Sequence, residues 1–323
     1  MTSDPFADLP LTRSGLDRQG DRRGQPDRVA AALADPATRV VDVTAGRVAT
    51  AGDGLALRPP RAGDEDALVL HLGARDGVAH LAVVTDAPDP EHAVGDEDDL
   101  DAAVWSDLRQ VAATTDAADA GLAATAVALA NWHAGHRHCP RCGAPTVPAA
   151  SGWVRRCERD GSEHHPRTDP AVIVAVTDDA DRLLLARNAG WPADRMSVIA
   201  GFVEPGETLA AAVVREVGEE VGLQVHDVRY AADQPWPFPA SLMVGFSARA
   251  DGTAIDLVDG EIAEAEWFDR DGFAAAVASG RLRRAPRLSI SARLVEQWLG
   301  RPLDTLPTPD RGDRARPADA ATR

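Results

Sequence analysis

The sequence predicts an α+β protein built around mixed sheets, and three observations support this fold class. Hydrophobic residues make up 44% of the 323 residues, which is enough for packed cores. Short runs of aliphatic residues are separated by turn signals, as in the strands of a sheet. Alanine-rich and amphipathic segments between these runs are typical of helices. A chain of this length accommodates two domains of ordinary size.

The first 135 residues predict an N-terminal α+β domain, 1–135, in which no catalytic motif is visible. Its main helix is expected from Asp119 to about Ala134, where apolar residues recur near helical spacing. The acidic stretch 95–101 is interpreted as a loop or the start of a helix. The expected strands are 39–43, 54–58, 67–72 and 78–84.

The remainder of the chain divides into three predicted parts. Residues 136–168 form a small segment rich in Cys and His, and 169–300 form a second domain of strands and helices. The tail 301–323 is rich in Pro, Asp and Arg and is predicted to be disordered. The expected strands are 171–177, 182–186, 197–202, 241–248 and 265–268, and the expected helices are 207–221 and about 286–299.

The charge of the chain excludes several classes of function. There are 34 basic and 51 acidic residues, giving a net charge of −17, which argues against broad binding to nucleic acid or anionic membrane. Every basic residue is arginine, so a P-loop lysine and a Schiff-base lysine are both excluded. Contacts to phosphate from basic side chains must therefore come from Arg or His.

The cysteines and the termini predict a cytoplasmic protein with no membrane partner. The three cysteines lie in one short stretch, which suits a metal site in a reducing compartment better than a secreted disulfide framework. The N-terminus lacks a basic-then-apolar signal pattern, and no apolar run is as long as a membrane span.

The segment Gly201–Leu223 predicts an amphipathic helix that carries clustered carboxylates. Pro205-Gly206 predicts a turn before the helix, and Gly222 predicts a C-cap after it. The apolar residues recur every fourth position and predict one buried stripe. That stripe consists of Leu209, Val213, Val217 and Val221.

Glu216, Glu219 and Glu220 stand at i, i+3 and i+4, so they are expected on another face of this helix. Three like charges repel one another, and a divalent cation removes that penalty. Carboxylate oxygens are the ligands that Mg²⁺ and Mn²⁺ prefer. The alternative interpretation is a solvated helix face, which most charged runs are.

The spacing of Gly201, Glu207, the Arg215-Glu216-Val217 run and the residues up to Leu223 fills every fixed position of the Nudix box. The chain therefore resembles the Nudix superfamily, which hydrolyses a nucleoside diphosphate linked to another moiety. The resemblance implies an α/β/α sandwich with a mixed sheet and catalytic Mg²⁺ or Mn²⁺.

The same resemblance assigns roles to individual residues of the box. It implies that Glu216 and Glu220 bind the metal directly and that Glu219 binds metal or acts as the base for the attacking water. The carbonyl of Ala200 is a further metal ligand in this scheme. Glu207 and Arg215 lie two helical turns apart and are interpreted as a structural salt link.

A proline-rich segment, Gln234–Ser241, follows the box and reads QPWPFPAS. Proline fixes φ, so the side chains between the prolines are held at low entropic cost, which suits stacking on flat heterocycles. The alternative is a turn that packs its aromatic side chains into the core. The segment resembles the signature of the NADH pyrophosphatase family, which implies that Gln234, Trp236 and Ser241 contact substrate.

That family resemblance extends to three residues outside the signature and to assembly. It implies that Phe202 stacks on a base or on nicotinamide, that Glu261 joins the metal site, and that Ser291 contacts substrate near a helix start. It also implies a homodimer, in which an aromatic residue before Pro166 serves the partner subunit's site. His165 stands at that position here, which puts the details of nicotinamide binding in doubt.

Cys139 and Cys142 form a CxxC knuckle, and Cys157 follows at the spacing of a second knuckle. The family has four cysteines in a structural zinc ribbon, whereas Asp160 stands at the fourth position here. Three alternatives remain open: Zn²⁺ held by the cysteines and Asp160, Zn²⁺ held by the cysteines and His164, or a segment without metal.

The resemblance as a whole implies hydrolysis of NAD(H) to AMP and NMN(H) by metal-activated water. It also implies removal of NAD caps from RNA 5′ ends by the same cleavage. One alternative is a Nudix hydrolase of ADP-ribose or of other nucleoside diphosphate derivatives. An alternative of another class is a zinc-ribbon nucleic-acid binding module with an inactive Nudix fold.

Overall fold

The structure is a computed structural model that describes residues 4–12, 15–85, 104–257 and 260–307. The chain folds into two compact units. The first contains Val172–Ala231 and the chain from Gly245 onward, and the second contains Phe6–Ala171 and Ala232–Val244. The predicted acidic loop at 95–101 lies outside the described residues.

The second unit contains a six-stranded sheet with the order β3-β2-β1-β5-β4, in which β6 also pairs with β2. Strands β1 and β5 are parallel, whereas β4 and β5 are antiparallel, so this sheet is mixed. Its strands are β1 (Arg39–Thr44), β2 (Arg47–Ala51), β3 (Gly54–Leu55), β4 (Leu68–Arg75), β5 (Val78–Val84) and β6 (Val104–Asp107).

Three helices belong to the same unit. They are α1 (Arg28–Ala34), α2 (Leu108–Thr114) and α3 (Ala117–Gly135). The predicted helix at 119–134 is confirmed, and it begins two residues earlier because the side chain of Asp116 accepts hydrogen bonds from the N–H groups of Ala118 and Asp119.

The predicted strand at 54–58 is wrong beyond Leu55. Arg58 forms only an isolated bridge with Val40. Its guanidinium binds the buried carboxylates of Asp42 and Asp64, with Nη2 to oxygen distances of 2.6 and 2.8 Å. This buried ion-pair cluster directs the backbone out of the sheet at the point where two prolines follow.

A three-stranded sheet with the order β7-β8-β9 lies within the predicted segment 136–168. Its strands are β7 (Thr146–Ala149), β8 (Val154–Cys157) and β9 (Glu163–His164). All of its pairings are antiparallel, and Thr146 stands opposite Cys157. The sheet is too small for a core of its own, and the cysteines cluster beside it.

The second six-stranded sheet has the order β13-β14-β10-β11-β15, and β12 also pairs with β10. Its strands are β10 (Asp169–Thr177), β11 (Leu183–Asn188), β12 (Ile199–Phe202), β13 (Val225–Trp236), β14 (Ser241–Ala250) and β15 (Ile262–Phe268). Every predicted strand of this region is present. Strand β13 was not predicted, because its residues carry no alternating apolar pattern.

Helix α4 (Leu209–Val221) is the helix predicted at 207–221, and it begins at Leu209 instead of Glu207. Thr208 is the N-cap, with its hydroxyl accepting from the N–H of Ala211. The valines of the predicted stripe are fully buried, but Leu209 is 38% exposed, so the stripe is shorter than expected. The predicted end is confirmed, because Gly222 adopts φ 71°.

Two helices complete the first unit, α5 (Arg270–Ala278) and α6 (Ile290–Leu299). Helix α5 was not predicted. The helix expected at about 286–299 begins at Ile290, because Ser289 is its N-cap and accepts from the N–H of Ala292.

The predicted disorder of the tail is wrong for residues 301–307. A short 3₁₀ turn spans Leu303–Thr305, and the side chains of Leu303 and Leu306 are buried. Residues 308–323 lie outside the described residues. Within the described ranges, no helix combines the length and the apolar character needed to span a membrane.

Candidate active site and zinc cluster

The candidate active site is built around a close approach between Glu216 of α4 and the backbone of Gly201 in β12. A Cβ atom at position 201 would lie 1.9 Å from the carboxyl carbon of Glu216 and 2.0–2.2 Å from its oxygens. Only glycine leaves room for this carboxylate. The first glycine of the box is therefore required by space, since its φ is not in the left-handed region.

Arg215 connects the carboxylates of the box to one another. Its Nη1 donates to Glu216 Oε1 and to Glu219 Oε2, each over 2.9 Å. Its Nη2 donates to Glu207 Oε1 over 2.6 Å and to the carbonyl of Phe202 over 2.9 Å. The predicted salt link between Glu207 and Arg215 is confirmed, and the same arginine also reaches two of the predicted metal ligands.

The electrostatics of this network differ from one carboxylate to the next. The hydrogen bond from Arg215 lowers the pKa of Glu207, and the bond to Glu207 raises the pKa of Arg215, so both stay charged. Burial raises the pKa of Glu216, which Arg215 opposes and the negative charges of Glu219 and Glu261 reinforce. Burial is thus the main reason that the charged form of Glu216 is disfavoured, and the two glutamates add to it.

The side chains of the three glutamates in α4 differ in their exposure to solvent. The side chain of Glu219 is 57% exposed, whereas that of Glu216 is 13% exposed and Glu220 is buried. Glu216 and Glu219 each accept from Arg215 through one oxygen, and no further hydrogen bond to either carboxylate occurs in the described part of the chain. Each therefore retains one oxygen that can ligate a cation.

These carboxylates are not gathered around one point. Among the described residues, three or more potential ligand atoms lie within 4.8 Å of one another only in the cysteine cluster. Glu261 is tied to strand β11 instead, where Asn188 Nδ2 donates to its Oε1 over 3.3 Å. The candidate ligands are mostly carboxylate oxygens, which suit Mg²⁺ or Mn²⁺. The carboxylates of α4 are spread over the face of the helix.

The structure places the other predicted residues of the first unit as follows. Ala200 is exposed in β12, and Phe202 at the end of that strand is 60% exposed, which leaves its ring open for stacking. Ser291 lies in the first turn of α6, as expected, and its hydroxyl is 2.8 Å from the Ser197 hydroxyl. Sequence reasoning missed Ser197, because only the fold makes it a neighbour of Ser291.

The proline-rich signature forms the end of β13, a short turn and the start of β14, so it is a hairpin and not a separate loop. The ring centroids of Trp236 and Phe238 are 4.9 Å apart in an edge-to-face arrangement. Gln234 is fully buried, and its amide donates to the carbonyl of Pro10 over 2.9 Å. This contact positions the strand and leaves the amide away from solvent.

Arg109 of α2 was missed by the sequence analysis. Its guanidinium lies 3.9 Å from the ring centroid of Phe238 and 5.7 Å from that of Trp236. Such cation–π contacts stabilise the arrangement of the two rings. No sequence signal links α2 to a turn more than a hundred positions away.

The signature also lines a cavity of about 240 Å³ within the second unit. Trp236 and Ser241 face this cavity, and the small residues Gly121 and Ala124 of α3 form part of its wall. Two predicted substrate contacts therefore share one concave surface, while the third, Gln234, is not among the lining residues. A largely apolar cavity with a few polar groups is typical of ligand sites.

The zinc cluster brings Cys139, Cys142, Cys157 and Asp160 together, with all four ligand atoms within 4.8 Å of one another. Sulfur ligands of tetrahedral Zn²⁺ are separated by about 3.8 Å. The Sγ atoms of Cys142 and Cys157 are 3.5 Å apart, and Asp160 Oδ2 is 3.8 Å from Cys139 Sγ. The residues present therefore fit one tetrahedral ion.

Ser162 connects the cluster to its surroundings. Its hydroxyl donates to Asp160 and lies 3.2 Å from His164 Nε2. His164 also forms a side-chain hydrogen bond with Cys139, but it is not among the four residues whose ligand atoms lie within 4.8 Å of one another. Hydrogen bonds from Ser162 lower the pKa of Asp160. Burial disfavours the Cys139 thiolate, but hydrogen bonds led by Ser162 outweigh it and lower its pKa to about 6.

Comparison with known families accounts for most of the chain between residues 35 and 288. Residues 35–132 match the NADH pyrophosphatase-like rudimentary NUDIX domain, and 134–164 match the NADH pyrophosphatase zinc ribbon domain. Residues 167–288 match the NUDIX domain. The N-terminal region is therefore related to the catalytic domain in fold, which the sequence analysis did not detect because residues 35–132 carry no glutamate-rich box.

Curated relatives agree with this assignment. The chain is 41% identical over 304 residues to the NAD-capped RNA hydrolase NudC of Mycobacterium bovis BCG, covering 89% of this chain and 94% of that protein. The same figures apply to the protein of that name from Mycobacterium tuberculosis H37Ra. A Deinococcus radiodurans protein of that name is 46% identical over 151 residues, 46% of this chain and 54% of its own. The chain belongs to the NADH pyrophosphatase family of Nudix hydrolases.

Proposed function

We propose that this chain hydrolyses the pyrophosphate bond of NAD(H) to AMP and NMN(H), and that it removes NAD caps from RNA 5′ ends by the same cleavage. The observation that carries this proposal is the Glu216 carboxylate seated against Gly201, with Glu219 and Glu261 adding negative potential. The signature hairpin and the relatives that act on NAD-capped RNA support the choice of substrate.

The metal site of the proposal consists of Glu216, Glu219, Glu220, Glu261 and the carbonyl of Ala200. Mg²⁺ or Mn²⁺ held there would supply positive charge that offsets the charge of the pyrophosphate and lowers the pKa of the attacking water. The free oxygens of Glu216 and Glu219 support this assignment, as does the exposure of Ala200.

In the proposed reaction, Glu219 accepts the proton of the attacking water. It is the most exposed of the three helix glutamates, and Arg215 bonds to its Oε2. Its Oε1 is therefore the atom that takes the proton when Glu219 acts as the base instead of binding the metal. The water oxygen forms a new bond to phosphorus, and the bond from phosphorus to the bridging oxygen breaks. One mononucleotide leaves with the bridging oxygen, and the other carries the oxygen from water.

The substrate contacts of the proposal are Phe202, Trp236, Ser241 and Ser291. Phe202 is exposed enough to stack on a heterocycle, and Trp236 and Ser241 line the cavity of the signature. Gln234 is assigned a different role from the one first expected. Because it is buried against Pro10, it holds β13 in place so that Trp236 is positioned.

We further propose the domain boundaries 1–135, 136–168 and 169–300, a structural Zn²⁺ held by three cysteines and Asp160, a homodimer, and a cytoplasmic location. The family matches at 35–132, 134–164 and 167–288 support the boundaries. The cluster geometry supports Asp160 as the fourth ligand in preference to His164.

Replacing Glu219 by glutamine should lower kcat for NADH by about 100-fold to 10,000-fold, because the amide cannot accept the proton of water. Products are separated chromatographically after incubation of NADH, NAD⁺, ADP-ribose and NAD-capped RNA with Mg²⁺ or Mn²⁺. Glu158→Gln removes a carboxylate outside the box and serves as the control. Near-normal turnover by Glu219→Gln would contradict the assigned role.

Replacing Gly201 by alanine should raise the Mg²⁺ concentration for half-maximal activity about tenfold or more, since the new Cβ displaces the Glu216 carboxylate. Gly218→Ala is the matched control within α4, because its Cβ would meet nothing closer than 3.9 Å. Activity is titrated with Mg²⁺ for both variants. Identical titrations would show that the close approach has no part in metal binding.

Replacing Trp236 by alanine should lower kcat/KM for NADH about tenfold more than kcat/KM for ADP-ribose, because an aromatic stacking surface for nicotinamide is lost. Trp267→Ala, which removes an indole bonded to Thr253, should affect both substrates equally. An equal loss with both substrates for Trp236→Ala would make the signature a purely structural hairpin.

Metal analysis by mass spectrometry, after exhaustive removal of Mg²⁺, should find about one zinc per chain. Asp160→Ala should lower this content, Asp160→Cys should retain it, and His164→Ala should leave it unchanged. Loss of zinc from His164→Ala together with retention in Asp160→Ala would show that His164, and not Asp160, is the fourth zinc ligand.

A further inference from the structure

A second concave surface, which we name the Arg155 groove, lies within the second unit and takes no part in the proposed chemistry. It has a volume of about 1010 Å³. Its walls come from the turn between β1 and β2, the last turns of α3, and strands β7 and β8. The polar residues that define it are Asn131, His133, Arg137, His138, Thr146 and Arg155.

Arg155 is a buried cation whose hydrogen-bond partners are all uncharged. Only 7% of the residue is exposed. Its Nε donates to Thr146 Oγ1 over 2.7 Å, its Nη2 donates to the Thr146 carbonyl, and its Nη1 donates to His133 Nδ1 over 2.9 Å. Three of the five N–H groups of the guanidinium are used in this way, and two remain.

His133 does not change the charge of the groove. Burial lowers the pKa of its imidazole to about 4, so the ring is neutral. Its Nδ1 accepts from Arg155, and its Nε2 donates to the carbonyl of Gly152 over 2.8 Å. The positive charge of Arg155 is therefore not shared with, or cancelled by, the histidine.

No carboxylate forms an ion pair with Arg155 in the ranges that the structure describes. Arg137 lines the same groove and adds a second positive charge. The one acid among the lining residues, Asp66, is exposed at the rim. A buried charge is costly unless it is paired, so this arrangement calls for an anionic ligand.

We propose that the Arg155 groove binds a backbone phosphate of an RNA chain through Arg155 and Arg137. This inference rests on the proposed removal of NAD caps, since that activity brings RNA to the protein. The groove is much larger than a single phosphate ion, and a chain of nucleotides fills it better. A guanidinium held by fixed hydrogen bonds presents its remaining N–H groups in the planar arrangement that phosphate oxygens accept.

Recognition in this groove is independent of the base sequence. The lining residues include no Phe, Tyr or Trp, so bases have no aromatic surface on which to stack. Contacts to phosphate position a nucleic acid without reading it. The net charge of −17 agrees with one small phosphate site in place of an extended basic surface.

The test measures binding of a fluorescein-labelled, NAD-capped oligoribonucleotide to the full chain by anisotropy over a range of salt concentrations. The Glu219→Gln background prevents turnover during the measurement. Arg137→Glu changes an exposed residue, so folding is preserved, and Arg155→Met removes the buried charge at similar length. Arg301→Glu makes the same charge change as Arg137→Glu outside the groove and is the matched control.

We expect Arg137→Glu and Arg155→Met to weaken RNA binding about tenfold or more. The slope of log K against log salt should fall by about 0.7 for each lost phosphate contact. In the enzyme that retains Glu219, Arg137→Glu should hydrolyse NADH at the unchanged rate. Unaltered RNA affinity and salt slope in both groove variants would overturn the proposal.

Competitors distinguish the source of the phosphate. Uncapped RNA should displace the labelled RNA, whereas inorganic phosphate at the same phosphate concentration should not. If inorganic phosphate displaces the labelled RNA, and if this displacement disappears in Arg137→Glu, then the groove binds free phosphate and RNA is overturned as its ligand. The proposed function is judged separately by NADH turnover in Glu219→Gln, so either idea can fail alone.

Discussion

The structure of the candidate active site depends on one contact, the seating of the Glu216 carboxylate against the backbone of Gly201. This contact joins α4 to β12 and places a partly buried negative charge where other carboxylates already repel it. Such an arrangement is unfavourable by itself. Arg215 offsets it in the chain alone by bonding to Glu207, Glu216 and Glu219 at once, and a divalent cation offsets it further.

The helix and the cysteine cluster could be predicted because their signals are local. Helical periodicity and the glycine at position 222 defined the end of α4, and the spacing of Cys139, Cys142 and Cys157 identified the metal segment. The start of α4 was displaced by two residues because Thr208 has an extended backbone and caps the helix.

Features that depend on contacts distant in sequence could not be predicted. Strand β13 mixes exposed, half-buried and buried residues without a regular order, so it lacks the alternation that identifies a strand. The burial of Gln234 follows from its bond to Pro10. The cation–π contact to the signature rings comes from Arg109 on helix α2. The proposal of Asp160 as the fourth ligand in preference to His164 likewise required the folded positions of both side chains.

The aspartate in the zinc cluster also changes how this segment responds to oxidants. Peroxide and related oxidants attack thiolates, whereas a carboxylate is inert to them. Three thiols cannot all be consumed by pairing, so linking the neighbouring sulfurs of Cys142 and Cys157 leaves Cys139 as a single thiol beside Asp160. A ribbon with four cysteines can close into two disulfides, whereas this one can close into a single disulfide, and its third thiol can only exchange places with one of the linked sulfurs.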